Sequence, residues 1–159
     1  MGFFNQSDFK FYLRRLEELL DLYLVKKAPS LPADWKELFV NFAPWLAILI
    51  IIFSLPVLLI TFGLGALILP FSFLGGASRG FHYGFDYFST LIFVGSSLVL
   101  NIMALPGLFK RTRRSWYLVY YTALLSGIYN ILTLSLMGFI LGSGIILYIL
   151  FQIKEYYTN

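Results

Sequence analysis

The chain has 159 residues, of which 59% are hydrophobic, 19% aromatic and only 13% charged, with a mean hydropathy of +0.80. A soluble fold of this size cannot hide so much apolar surface, whereas lipid can take it. The net charge of +4 is divided among segments that flank apolar runs, which argues against nucleic acid as a partner, and the absence of cysteine excludes disulfides, thiolate metal sites and cysteine nucleophiles.

The first 27 residues are charged and amphipathic, with no apolar h-region, so no cleavable signal peptide is expected. Gln6 stands where a myristoylation signal needs Ser or Thr. Residues 7–27 read as an amphipathic helix: Phe9, Tyr12, Leu13, Leu16, Leu20, Tyr23 and Leu24 form one stripe, opposite Arg14, Arg15, Glu18 and Asp21. Ser7 suits the N-cap, and Asp8 suits the positive helix end. Residues 1–28 are therefore a cytoplasmic or interfacial helix, lying in the headgroup plane or packed under the domain formed by residues 29–159.

Pro29 and Pro32 separate this helix from the next, with Ser30 as the expected cap. A first span follows at about 44–61, with an elbow expected at Pro44 and a kink at Pro56. Trp35 and Trp45 suit a membrane interface. Residues 63–80 are apolar but broken by Gly63, Gly65, Pro70, Gly75 and Gly76. The second span is expected at 84–105, closed by Pro106 and Gly107. The third, at 116–133, opens with Trp116, Tyr117, Tyr120 and Tyr121, and the fourth covers 137–153 after a turn near Thr133–Gly138.

Lys110, Arg111, Arg113 and Arg114 set the topology. Each would cost at least about 2.5 kcal/mol at the centre of a bilayer, so the cluster belongs at a surface, and positive-inside bias makes that surface cytoplasmic. Lys10, Arg14, Arg15, Lys26, Lys27 and Lys36 place the N-terminal segment on the same side. An even number of crossings must separate the two, so 63–80 is expected to be a re-entrant or outer-interface segment. Eleven of the twelve basic residues then lie inside, with Arg79 outside. The expectation is an all-α polytopic membrane protein of the inner membrane: four transmembrane helices, an N-terminal amphipathic helix, and both termini cytoplasmic.

The chemistry-bearing residues lie mainly on the second span. Helical steps put Arg79, Tyr83, Asp86, Thr90, Ser97 and Asn101 within a sector of about 60°, with His82 beside it. Arg79, His82, Tyr83, Asp86 and Asn101 are thus the candidate polar site, for an anion or a proton at the outer mouth of the bundle. The competing reading, which is preferred, is a local pairing at headgroup level, with Ser97 and Asn101 as interhelical hydrogen-bonding groups. Thr122, Ser126, Tyr129 and Thr133, with Asn130 adjacent, form a comparable face on the third span. Gly76, Gly80 and Gly84, and also Gly138 and Gly142, repeat at four-residue spacing. Such a repeat serves a homodimer or, as preferred here, close approach of the chain's own helices. One histidine and one acid near the apolar core do not make a metal site, and no nucleophile elbow occurs; neither an enzyme nor a cofactor is expected.

The stretches VKKAPSLPADWKELFVNFAPWLAIL, FLGGASRGF, LPGLFKRTRRSW and ILFQIKEYY resemble small uncharacterised four-helix membrane proteins of candidate-phyla bacteria, some of them labelled chromate-transporter-like. The resemblance implies the same four-helix architecture and, through that label, anion transport. The chain departs from true chromate transporters in being far shorter and without internal duplication. Two functions are therefore carried forward. One is a structural or interaction module, with the lipid bilayer and a homo-oligomer or membrane-protein partner; the other is a small anion transporter or channel subunit.

Overall fold

A computed structural model of the chain describes residues 6–158, and the side chains of residues 11–158. The expected roles of Ser7, Asp8 and Phe9 fall on side chains outside that range. The described residues form five helices: α1 (Gln6–Asp21, continuing as a wider π turn over Leu22–Lys27), α2 (Ala33–Gly75), α3 (Ala77–Phe109), α4 (Arg113–Leu132) and α5 (Gly138–Gln152). At 43 and 33 residues, α2 and α3 are each long and apolar enough to cross a membrane.

Several sequence expectations are corrected here. The chain does not leave the helix after residue 61. It widens into a π turn at Thr61–Gly65, continues as α-helix over Ala66–Ser72 and tightens at Phe73–Gly75. Residues 63–75 thus continue the helix of the first expected span, and 63–80 is the tip of one helical hairpin. The reversal sits at Gly76, whose φ of 104° lies in the region that only glycine enters freely. Packing explains why the glycines of this stretch do not break the helix. A Cβ on Gly65 would stand 2.9 Å from the Tyr87 ring, and one on Gly80 would overlap the Phe73 ring. Gly65 and Gly80 let α2 and α3 touch; within the four-residue repeat Gly80 makes this internal contact, whereas Gly76 makes the turn.

Pro44 and Pro56 lie inside continuous helix, and α3 runs past Pro106 and Gly107 to Phe109. Ser30 is not the cap of α2. Pro32 takes that position, its carbonyl accepting from the N–H groups of Trp35 and Lys36 at 3.1 Å each. The α4–α5 turn falls at Thr133–Ser135, within the expected stretch, with Leu134 at φ 53°.

At about 1.5 Å per residue, α3 is about 50 Å long and α4 about 30 Å. The Thr90 and Tyr129 hydroxyls meet at 3.3 Å, so the last turn of α4 stands level with Thr90. The 13 residues of α3 before Thr90 therefore carry the hairpin about 20 Å beyond the α4–α5 turn.

The buried core lies at the opposite end, where all the helices and the C-terminal tail converge. Trp116 is stacked on Tyr120, with ring centroids 5.5 Å apart and planes at 9°, and meets the edge of Phe151 at 5.4 Å. Its Nε1–H donates to the Leu150 carbonyl at 2.8 Å, which satisfies the one polar atom of a fully buried indole. Val40, Ala104, Leu108, Ile153 and Tyr157 close around this group.

The leader is fastened to this end. Gln152, itself buried, donates through Nε2 to the Leu24 carbonyl at 2.8 Å and accepts the Leu31 N–H at 3.3 Å, while Tyr148 donates to the Pro29 carbonyl. This separates the apolar residues of the leader into two sets. Leu20, Leu24 and Val25 pack against the core, whereas Tyr12, Leu16, Leu19 and Tyr23 remain exposed. Asp21, expected on the outer side, faces the bundle instead.

Candidate functional site

The residues singled out on α3 do not form one site. Arg79, His82, Tyr83 and Asp86 line an open cleft of about 600 Å³ at the hairpin tip, with Phe71, Ser72, Gly75 and Ser78. His82 Nε2 lies 3.5 Å from Asp86 Oδ2, but the two side chains are 82% and 50% exposed. A pair this wet is screened by solvent and contributes little. Arg79 is not within ion-pair distance of Asp86; its aliphatic stem lies against Gly75. Tyr83 turns inward, and its hydroxyl donates to the Gly65 carbonyl at 3.4 Å, tying α3 to the π turn of α2.

Asn101 belongs to the interior, about 22 Å further along α3 from Asp86. It is 4% exposed and lines two adjoining cavities, of about 290 and 270 Å³. Ile50, Val119 and Ile146 are shared by both. The first cavity is apolar, walled by α2 and α5; the second carries Ser54, Ser97, Thr122, Ser126 and Tyr129. Ser97 and Asn101 of α3 therefore share one cavity with Thr122, Ser126 and Tyr129 of α4. None of the residues lining the tip cleft lines either interior cavity, and the Thr90–Tyr129 contact stands between them.

The hydrogen bonding differs from expectation. Asn101 donates to the Ser97 carbonyl at 2.9 Å, Thr122 to Leu118 at 3.0 Å, Asn130 to Ser126 at 2.7 Å and Thr133 to Tyr129 at 2.9 Å. These groups bond back to their own helices. That satisfies their donors without the partner helix and leaves Thr90 with Tyr129 as the side-chain hydrogen bond between α3 and α4 among the described residues.

Sequence reasoning missed the ion pair of the leader. Lys154 Nζ lies 2.9 Å from Glu17 Oε1 and 3.9 Å from Asp21 Oδ1, and stands over the Trp116 and Phe151 rings at 5.2 and 5.5 Å. The Tyr117 hydroxyl is 3.5 Å from the same Glu17 oxygen. The one sequence signal was an acid, Glu17, on the helical face that also carries Leu13, Leu20 and Leu24.

Comparison with protein-family models, with curated proteins and with solved structures finds no match to this chain.

Proposed function

We propose that this chain is an integral membrane protein of the bacterial inner membrane acting as a structural or interaction module, with four spans and both termini cytoplasmic. The observation that carries this reading is the bareness of the long helices. Only 6% of the most apolar window of α2 and 22% of that of α3 is buried within the protein, so these surfaces need lipid or another apolar partner. The spans are 44–61 within α2, 84–105 within α3, 116–133 along α4 and 137–153 along α5, with the 110–114 cluster on the cytoplasmic face. The hairpin tip then reaches the outer interface. Its exposed Leu67, Phe71, Leu74, Phe81 and Phe85 exceed the thickness that α4 and α5 define, which supports contact with a second copy or another membrane protein.

A second reading, a small anion transporter related to the chromate-transporter-like proteins, draws support from the hydroxyl-lined cavity at Ser97, Thr122 and Ser126. It is less favoured, because the cations it would use at the tip share no wall with that cavity.

The chain has no natural cysteine, so single cysteines report topology without background. In intact cells, Ala33→Cys and Thr158→Cys should be shielded from an impermeant thiol reagent and Ser78→Cys should be labelled; labelling of Ala33→Cys overturns the topology. In liposomes, the unmodified protein should pass chromate or chloride no faster than protein-free vesicles. A flux well above that background, lost in Asp86→Asn, decides for the transporter.

A further inference from the structure

The four basic residues at the α3–α4 turn are not equivalent. Arg111 takes a left-handed conformation, φ 52°, and its guanidinium donates to Asn41 Oδ1 of α2 at 2.7 Å. Arg113 is exposed and does not line the recess that Lys110 and Arg114 share. Lys110 and Arg114 instead line one recess of about 360 Å³ in the crook between the end of α3 and the start of α4. Among the described residues neither has a carboxylate within ion-pair distance, and no acid lines the recess. Glu17 and Asp21, which reach the same end of the bundle, are engaged by Lys154.

A topology signal needs only positive charge on one side, and that requirement does not pair two cations around a hollow. Met103, Pro106 and Leu118, a turn or more further along the two helices than the cations, give the recess an apolar wall, and Thr112 and Ser115 add hydroxyls to its lining. The turn that sets this spacing is held by Thr112 N–H donating to the Gly107 carbonyl at 2.9 Å and by the Thr112 hydroxyl capping Ser115 N–H at 3.4 Å. Gly107 permits the approach, because a Cβ there would stand 2.5 Å from Thr112 Oγ1 and 2.8 Å from Ser115 Cβ. A recess with two unpaired cations at one end and an aliphatic wall at the other matches a phosphate ester on an apolar chain.

We propose that Lys110 and Arg114 bind the phosphate of an anionic phospholipid, whose acyl chain runs along Met103, Pro106 and Leu118. The inference rests on the membrane reading above, but binding in detergent is independent of orientation and so fails or succeeds separately from the cysteine labelling. Arg supplies a planar fork and Lys a point charge, both suited to phosphate oxygens.

The test uses purified full-length protein in a neutral detergent, scored by native mass spectrometry and thermal stability. Three probes are added: phosphatidylglycerol, diacylglycerol with the same chains, and glycerol phosphate. Phosphatidylglycerol should be retained, and diacylglycerol and glycerol phosphate should each bind about tenfold or more weakly. Lys110→Gln/Arg114→Gln should lose that preference, while Arg113→Gln/Arg15→Gln, with the same loss of charge, should keep it. Equal retention of phosphatidylglycerol and diacylglycerol by the unmodified protein overturns the site, whether or not the double variant folds. Equal loss in both double variants overturns it as well. Binding of glycerol phosphate as tight as that of the lipid would assign the recess to a soluble phosphate ester and overturn the lipid.

Discussion

Lys154 and Glu17, 137 positions apart in sequence, form an ion pair of 2.9 Å whose side chains are 26% and 20% exposed. It joins the residues that follow the last helix to the middle of the first. A contact this sheltered is screened less than an ordinary surface pair, and the Trp116 and Phe151 rings beneath the ammonium shelter it further.

Glu17→Gln should therefore loosen the leader. The lost charge-assisted hydrogen bond corresponds to about 1.5–3 kcal/mol at most, reduced by the remaining solvent access. Limited proteolysis at the linker of residues 28–32 should speed up severalfold, whereas Glu18→Gln, exposed on the outer side, should leave the rate unchanged. Equal rates in the two variants would mean that Gln152 and Tyr148 alone hold the leader.

Gly80 and Gly95 make a matched pair on α3. A methyl group on Gly80 meets the Phe73 ring, while nothing lies within 4 Å of one on Gly95. Gly80→Ala should cost about 1–3 kcal/mol by overpacking the tip, and Gly95→Ala should stabilise the helix by up to about 1 kcal/mol. Thermal unfolding in detergent reads both; a Gly80→Ala protein as stable as the parent would show that the hairpin tip is not packed in this way.

Tyr157 gives the protein an alkaline limit. Burial raises the pKa of its hydroxyl, against an opposing pull from Arg111. The folded state thus keeps the proton at pH values where the unfolded chain has lost it. This contribution is complete below the ordinary tyrosine value of about 10 and declines as pH rises above it. Since this buried hydroxyl has no hydrogen-bond partner among the described residues, Tyr157→Phe should not destabilise the protein at pH 7, and should flatten the loss of stability above pH 10. A variant that unfolds earlier at pH 7 would reveal a bond to this oxygen. Washing membranes at high pH is for the same reason a poor test of membrane integration here, and urea extraction is preferable.

The hydroxyl contact between Thr90 and Tyr129 lies, along α3, between Asp86 of the tip cleft and Phe93 of the second cavity. Tyr129→Phe should lower thermal stability by about 1 kcal/mol, leaving Thr90 to bond its own helix. Vesicle permeability should stay at background; a leak created by this change would indicate that the contact is a gate.

Much of the helical layout was legible because it is local. Apolar runs long enough to span a bilayer, the aromatic opening of α4 and the reversal near Thr133 all follow from residues close together in sequence, as does the isolation of the 110–114 cluster. The π turn and the continuous tip over 63–80 were not legible. Glycine and proline weaken a helix by their intrinsic preference, and only the contacts of Gly65 with Tyr87 and Gly80 with Phe73 offset that preference. The angular sector on α3 grouped Tyr83, Thr90 and Asn101, which meet neighbouring helices, with the exposed residues of the tip. It could not separate them from Arg79, His82 and Asp86, because helical phase carries no information about where α4 ends. Sequence alone determined that the apolar runs outside 63–80 are helical and which ends are basic, since both depend on neighbours a few residues apart. The tertiary structure decided that α3 outruns α4, that Lys154 meets Glu17 and that Lys110 and Arg114 share a recess, because each depends on segments brought together only by packing.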